Sequence, residues 1–244
     1  MSDMLAVRQL HAGYGEGDIL KGVDVTLPAG QVVTIIGPNG SGKSTLVNCL
    51  TGTLGNYTGA VRFDGRNIAG LKAHQRARLG MARSFQLPRP FTSMSVADNL
   101  RIPLLYAVNA RPGAHLSFGE ISTRCSELLA LVGLVDKAHQ FPGDLTQVEM
   151  RKLELARAMA AEPKLLIADE SMAGLSHSEI DDILKLLVEL NERGITIILI
   201  EHIMRAVMSF SQRLVVLVSG RKIADGPPED VIKDDDVVGA YLGR

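Results

Sequence analysis

The segment Val32-Val33-Thr34-Ile35-Ile36-Gly37-Pro38-Asn39-Gly40-Ser41-Gly42-Lys43-Ser44-Thr45 decides how the rest of the chain reads. Five residues with no formal charge, four of them aliphatic, predict a buried strand, and a helix is expected from Lys43 onward. Gly37–Thr45 fits the pattern G-x-x-x-x-G-K-[ST] in the strand–loop–helix setting it requires. Gly37, Gly40 and Gly42 let the loop curl so that its N–H groups converge on phosphate oxygens, with Pro38, Asn39 and Ser41 completing the turn. The helix adds the positive end of its dipole. Lys43 is placed to reach β- and γ-phosphates, and the Ser44 hydroxyl, beside Thr45, to ligate Mg²⁺. The expected ligand is therefore ATP with Mg²⁺.

Working outward, short β-like segments precede this loop (Leu5–Leu10, Ile19–Leu27) and another follows it near Val61–Phe63. From about residue 87 to 160 the pattern turns helical, with several prolines. Alternation then resumes with an apolar strand at Leu165–Ala168. A stripe at Ile180, Ile183, Leu184, Leu187 and Leu190 marks a helix, opened by a capping box Ser176–Glu179 and closed by Gly194. A strand at Ile195–Ile200 and a hairpin about Ser219-Gly220 complete the chain. The expectation is an α/β core interrupted by a helical block. Asp169 emerges at the carboxyl end of the strand LLIA, where ligands bind in open α/β sheets, so it is the candidate metal-holding carboxylate. Glu170 follows it and is the candidate for polarising the attacking water.

In composition the 244-residue chain is ordinary, with 46% hydrophobic and 22% charged residues. This excludes a disordered or collagen-like polymer. Its 26 Lys+Arg against 27 Asp+Glu exclude nucleic-acid binding through overall charge. Two cysteines, Cys49 and Cys125, make no disulfide framework, so a reducing compartment is expected. No apolar run approaches the roughly 20 residues of a membrane span, and the start shows no secretion signal. Any membrane part is expected on other chains. Between Arg62 and Arg89 stand seven basic residues and one acid, Asp64. A solvated face is the first reading of that run, and contact with lipid headgroups or a membrane subunit the second.

Taken together, these motifs resemble the nucleotide-binding subunits of ATP-binding cassette (ABC) transporters over nearly the whole chain. The resemblance implies a P-loop NTPase of the ABC ATPase type, α/β with an antiparallel β subdomain and a helical subdomain insertion. It implies one ABC ATPase domain over 1–244, with core and β subdomain at 1–86 and 162–244 and the helical subdomain at about 87–161. By the same resemblance Tyr14 stacks on adenine, and Gln86 in ARSFQLPRPF senses the metal and γ-phosphate and contacts the membrane subunit, so that near Arg83–Phe91 contact with a transporter's coupling helix is favoured over a solvated face. His202 after ILIE contacts γ-phosphate, and Ser44, Gln86 and Asp169 surround Mg²⁺. Glu170, His202, Lys43 and Gln86 form the catalytic set. The stretches HQRARLGMARSFQ, SMSVADNL, GLSHSE and IADGPPEDVIKDDDVVGAYLG resemble the ATPases of branched-chain amino-acid importers, strings that amide and urea importers share.

The signature motif departs from the family. Where LSGGQ is usual, the chain has Leu145-Thr146-Gln147-Val148-Glu149. In the family this motif grips the γ-phosphate on the opposite subunit, through glycines that let the backbone approach. Gln147 and Val148 are expected to put side chains into that approach, and Glu149 to bring a negative charge towards it. Ser171 and Ser176 stand where Pro and a D-loop Asp are frequent. The implied partners are a second ABC ATPase subunit, with a heterodimer favoured over a homodimer, transmembrane permease subunits and, indirectly, a substrate-binding protein. No nucleic-acid partner is expected. The implied place is the cytoplasmic face of the membrane, peripherally bound. Two alternatives stay open: a soluble ABC ATPase not linked to transport, and a regulatory subunit that hydrolyses weakly.

Overall fold

The computed structural model describes residues 3–15, 17–84 and 88–242. Two sheets organise them. β1 (Asp3–Ala12), β2 (Leu20–Pro28), β4 (Tyr57–Phe63) and β5 (Arg66–Asn67) form an antiparallel sheet in the order β2-β1-β4-β5. The second sheet runs β10-β9-β3-β8-β7-β6. Its members are β3 (Val32–Ile36), β6 (Met81–Ser84), β7 (Leu165–Asp169), β8 (Thr196–Ile200), β9 (Arg213–Val218) and β10 (Arg221–Gly226). All pairings in it are parallel except that of β10 with β9.

Every residue of β3, β7 and β8 is buried, which explains why they read as unbroken apolar runs rather than alternations. Successive side chains divide between two cores. Val33, Ile35, Leu165, Ile167, Ile198 and Ile200 pack with the antiparallel sheet and with α1 (Lys43–Thr51). Val32, Leu166, Ile197 and Leu199 pack with the helices on the other face. Those helices are α3 (Val96–Pro103, continued by a π turn at Leu104–Val108), α4 (Phe118–Val132), α5 (Gln147–Ala160), α6 (His177–Glu192) and α7 (Met204–Phe210). Two short helices, α8 (Pro228–Val231) and α9 (Asp235–Leu242), cover β9 and Ile36 through Val231 and Val237.

The elements expected from the sequence are present, and others lie between them. Among these, α2 (Ala73–Leu79) and β6 occupy the basic stretch. The expected solvated face is therefore only partly right. Arg62, Arg66, Lys72, Arg78 and Arg89 are exposed, but Arg76 is 1% exposed and Arg83 is half-buried. The Arg76 guanidinium donates to Cys49 O at 2.5 Å, Leu50 O at 2.7 Å and Leu71 O at 3.0 Å. Two of those carbonyls end α1, so this cation sits at the negative end of the helix that carries Lys43 at its start.

Candidate functional site

The loop after β3 closes on itself because its glycines permit contacts no other residue could make. A Cβ on Gly37 would lie 2.1 Å from Leu217 O and 2.6 Å from Ser41 Oγ. Gly42, the N-cap of α1, has φ 104° and supplies no side-chain cap, so the first N–H groups of the helix remain available to an anion. Neighbouring strands hold the loop from outside. Gly220 N donates to Ser41 O at 3.0 Å, and Lys21 N to Gly220 O at 2.8 Å. Lys43 folds back over the loop, its Nζ donating to Gly37 O at 2.7 Å and Pro38 O at 3.1 Å. Burial lowers its pKa, while Glu170 and Asp169 work in the opposite direction. Ile19, Asn39–Thr45 and Glu170 line a cavity of about 230 Å³.

Glu170 reaches that cavity through an unusual backbone. Its φ is 47°, a left-handed value uncommon for a residue with a side chain, and its N–H donates to Ile200 O at 2.9 Å. The turn at the end of β7 thus separates it from Asp169. Asp169 is 6% exposed and its Oδ2 accepts from Arg83 Nη2 at 2.6 Å. The other end of the guanidinium donates to Asn48 Oδ1 at 2.9 Å, and Asn48 Nδ2 donates to Tyr14 Oη at 2.6 Å. Tyr14 is 61% exposed, with its ring open to a planar ligand. His202 is exposed just beyond β8. Its N–H donates to Glu201 Oε2 at 3.3 Å, and Met172 N donates to Glu201 Oε1 at 3.1 Å. Glu201 is 1% exposed, and burial raises its pKa. Gln86 lies outside the described residues. Sequence reasoning gave no site role to Arg83, Asn48 or Glu201. Arg83 stood within ARSFQLPRPF and Glu201 within ILIE, but Asn48 stood in no motif that had been singled out.

The altered signature builds a helix start. Thr146 is the N-cap of α5, its Oγ1 accepting from Glu149 N at 3.4 Å while Glu149 Oε2 accepts from Thr146 N at 2.8 Å. That backbone hydrogen bond holds the Glu149 carboxyl below its usual range, and Lys137 Nζ lies 3.8 Å from it. The carboxylate is thus turned back onto its own helix start. Val148 and Leu145 pack half-buried against the helical core. Gln147 Nε2 donates to Ala173 O at 3.4 Å, and Arg151 Nη2 reaches the same oxygen at 3.4 Å. The side chains expected to intrude on a phosphate approach are, in this structure, engaged within the chain itself.

The family model for ABC transporters matches residues 20–173, and a second model, for branched-chain amino acid ATP-binding cassette transporters, matches residues 221–244. The chain belongs to the ABC transporter family. As a member it is an ATP-binding subunit, and the family carries ATPase activity in transport. The high-affinity branched-chain amino acid transport ATP-binding protein BraF of Pseudomonas aeruginosa is 38% identical over 99% of this chain and 98% of its own length. LivG of Salmonella typhimurium, bearing the same description, is 35% identical over 99% and 98%. The ADP conformation of an ATP-binding cassette from an ABC transporter superposes with a TM-score of 0.88 at 30% identity, covering 100% of both chains. Among the described residues of this ABC subunit, no helix is long and apolar enough to cross a membrane.

Proposed function

We propose that this subunit is the Mg²⁺-dependent ATPase of an importer for branched-chain or related amino acids, working beside permease subunits on the cytoplasmic face of a membrane. One observation carries the chemistry. Glu170, at the end of β7, lines the same cavity as Lys43 and Ser44, so a carboxylate faces the place built for phosphates. The transport role of BraF and LivG favours an importer over a soluble ATPase.

In this reading the amides of Gly37–Thr45 cradle the phosphates, and Lys43 leaves Gly37 O and Pro38 O to meet phosphate oxygens. Tyr14 stacks on the base. Glu170 orients and polarises water for attack on the γ-phosphorus, while His202 and Gln86 contact the γ-phosphate side. Ser44, Gln86 and Asp169 would hold Mg²⁺. A hydroxyl, an amide oxygen and one carboxylate suit a hard cation that takes its remaining ligands from phosphate and water. Bound there, Mg²⁺ would offset charge on the β- and γ-phosphates. In the same reading the helical subdomain spans about 87–161, inserted between the two parts of the core.

The dimer partner follows from the signature. A second ATPase subunit with an intact signature would close on the nucleotide held here, while its own nucleotide would face Thr146–Glu149. Loss of one preorganised donor costs roughly 100- to 1000-fold in rate, so one fast and one slow site are expected, against two slow sites for a homodimer. A weakly hydrolysing regulatory subunit is the second reading, favoured by the engagement of Gln147 and Glu149 within the chain. The test is Mg²⁺-dependent turnover of the purified subunit, alone and with its partner ATPase, beside Glu170→Gln. Turnover that needs the partner and vanishes in Glu170→Gln supports the proposal. Nucleotide binding without turnover in either setting selects the regulatory reading.

A further inference from the structure

We propose that Arg83 is a positioning residue that pairs with the Asp169 carboxylate and sets how much Mg²⁺ is needed for nucleotide to bind tightly. This rests on Asp169 being the metal ligand. Three observations carry it. First, the pair is close and largely shielded, with Arg83 Nη2 2.6 Å from Asp169 Oδ2 and side-chain exposures of 15% and 9%. Second, the guanidinium is bridged, since its other terminal nitrogen donates to Asn48 Oδ1 at 2.9 Å. A planar guanidinium spans two acceptors in this way; a lysine ammonium, a point charge on a flexible stem, does so poorly. Third, Asn48 stands four residues after Ser44 on α1, and residues so spaced share a helix face. Arg83 therefore lies one helical turn behind the hydroxyl that would complete the metal site.

A cation in that place competes with a metal twice. It uses a lone pair on the carboxylate oxygen, and its charge repels a divalent ion next to it. Arg83 pairs with Asp169, and Lys43 lies within Coulombic reach of Asp169 and Glu170, two positive charges against two negative. Entry of Mg²⁺ upsets that balance unless the guanidinium withdraws from Asp169. Asn48 also ties Tyr14 to the same group at 2.6 Å, so a base stacking on Tyr14 and a metal arriving at Asp169 pull on one network.

The test measures binding of the β,γ-imido analogue of ATP to the full chain across a Mg²⁺ titration and in EDTA, with a melting curve on every variant to establish folding. For Arg83→Gln, the Mg²⁺ concentration at half-maximal binding should fall about tenfold, the scale of one charge-assisted hydrogen bond. The ratio of affinities with and without Mg²⁺ should rise in step. Asn48→Ala keeps the charge but frees one end of the guanidinium; it should shift the midpoint the same way by less, and it decides the matter if Arg83→Gln does not fold. Asp169→Asn should raise the midpoint. A midpoint unchanged or raised in the Arg83 and Asn48 variants, with Asp169→Asn shifted, overturns the role of Arg83 alone. A midpoint unmoved by Asp169→Asn removes the metal-ligand reading, and the inference with it.

Discussion

Replacing Arg76 by Met should destabilise the subunit far more than a change within a basic surface run would. Arg76 is 1% exposed, and the oxygens it donates to are neutral: the carbonyls of Cys49, Leu50 and Leu71, with the Tyr57 hydroxyl at 3.3 Å. Methionine fills much of the same volume but donates nothing, so three carbonyls lose a partner. An orphaned buried acceptor costs about 1–3 kcal/mol. Taking the low end for each, because the 52–56 turn can admit water, gives about 3–4 kcal/mol. For a domain of this size each kcal/mol shifts Tm by roughly 2–4 °C, which places the drop at roughly 6–16 °C. Denaturant unfolding of wild type and Arg76→Met should show a lower midpoint at unchanged slope. Arg76→Lys should fall between the two, reaching one or two of the carbonyls. A loss below about 1 kcal/mol for Arg76→Met would refute the claim that this cation caps the C-terminal end of α1.

Two further outcomes follow from buried titratable groups. Burial raises Glu201 above its ordinary value of 4.5, so the folded state holds its proton more tightly than the unfolded one. Its contribution to stability is complete below about pH 4.5 and is lost as pH rises through the folded value. Wild type should therefore lose stability relative to Glu201→Gln across that interval in unfolding curves taken at a series of pH values, and parallel curves would show that the group is not desolvated. Burial also pushes the Cys49 thiol up to about 11 and raises Cys125. Both should resist a thiolate-selective reagent at pH 8 in the native subunit and react on unfolding; rapid labelling of either in the native state would contradict their burial.

What could be read from the sequence, and what could not, divides along physical lines. The Gly37–Thr45 loop was legible because a left-handed N-cap at Gly42 and a 2.1 Å approach at Gly37 leave few residue choices. β3, β7 and β8 were legible because a parallel strand covered on both faces must be apolar throughout. The cap Ser176–Glu179 announced α6 by local hydrogen-bond chemistry that needs no tertiary context, and Thr146–Glu149 caps α5 by the same chemistry. β6 was not legible: Met-Ala-Arg-Ser has no apolar run, and its pairing with β7 is set by a partner far along the chain. Arg76 and Arg83 were hidden for a related reason. Charge counting treats every basic residue in 62–89 alike, whereas their burial depends on a helix end near residue 50 and a carboxylate at 169. Long-range acceptors, not local pattern, turned these two inward.

The start of α5 shows how a helix cap can persist without the glycines of the family's signature. On the proposed reading two roles coincide there, capping the helix and presenting backbone to a nucleotide on a second subunit. Capping asks only for a hydroxyl at the first position and a carboxylate three residues on, and Thr146 and Glu149 supply both. Presentation asks for glycines between them, and nothing in the helix enforces that. Gln147 and Val148 are better helix residues than glycine by up to about 1 kcal/mol each. Val148 also gains packing against the helical core, and Gln147 gains a bond to Ala173 O in the turn after β7. On the proposed reading, side chains in place of glycine here stabilise this chain while weakening a site completed on another. On that reading the change is best tolerated where the other site is not the one that must turn over, which is the physical reason the proposal favours an unequal pair over two identical subunits.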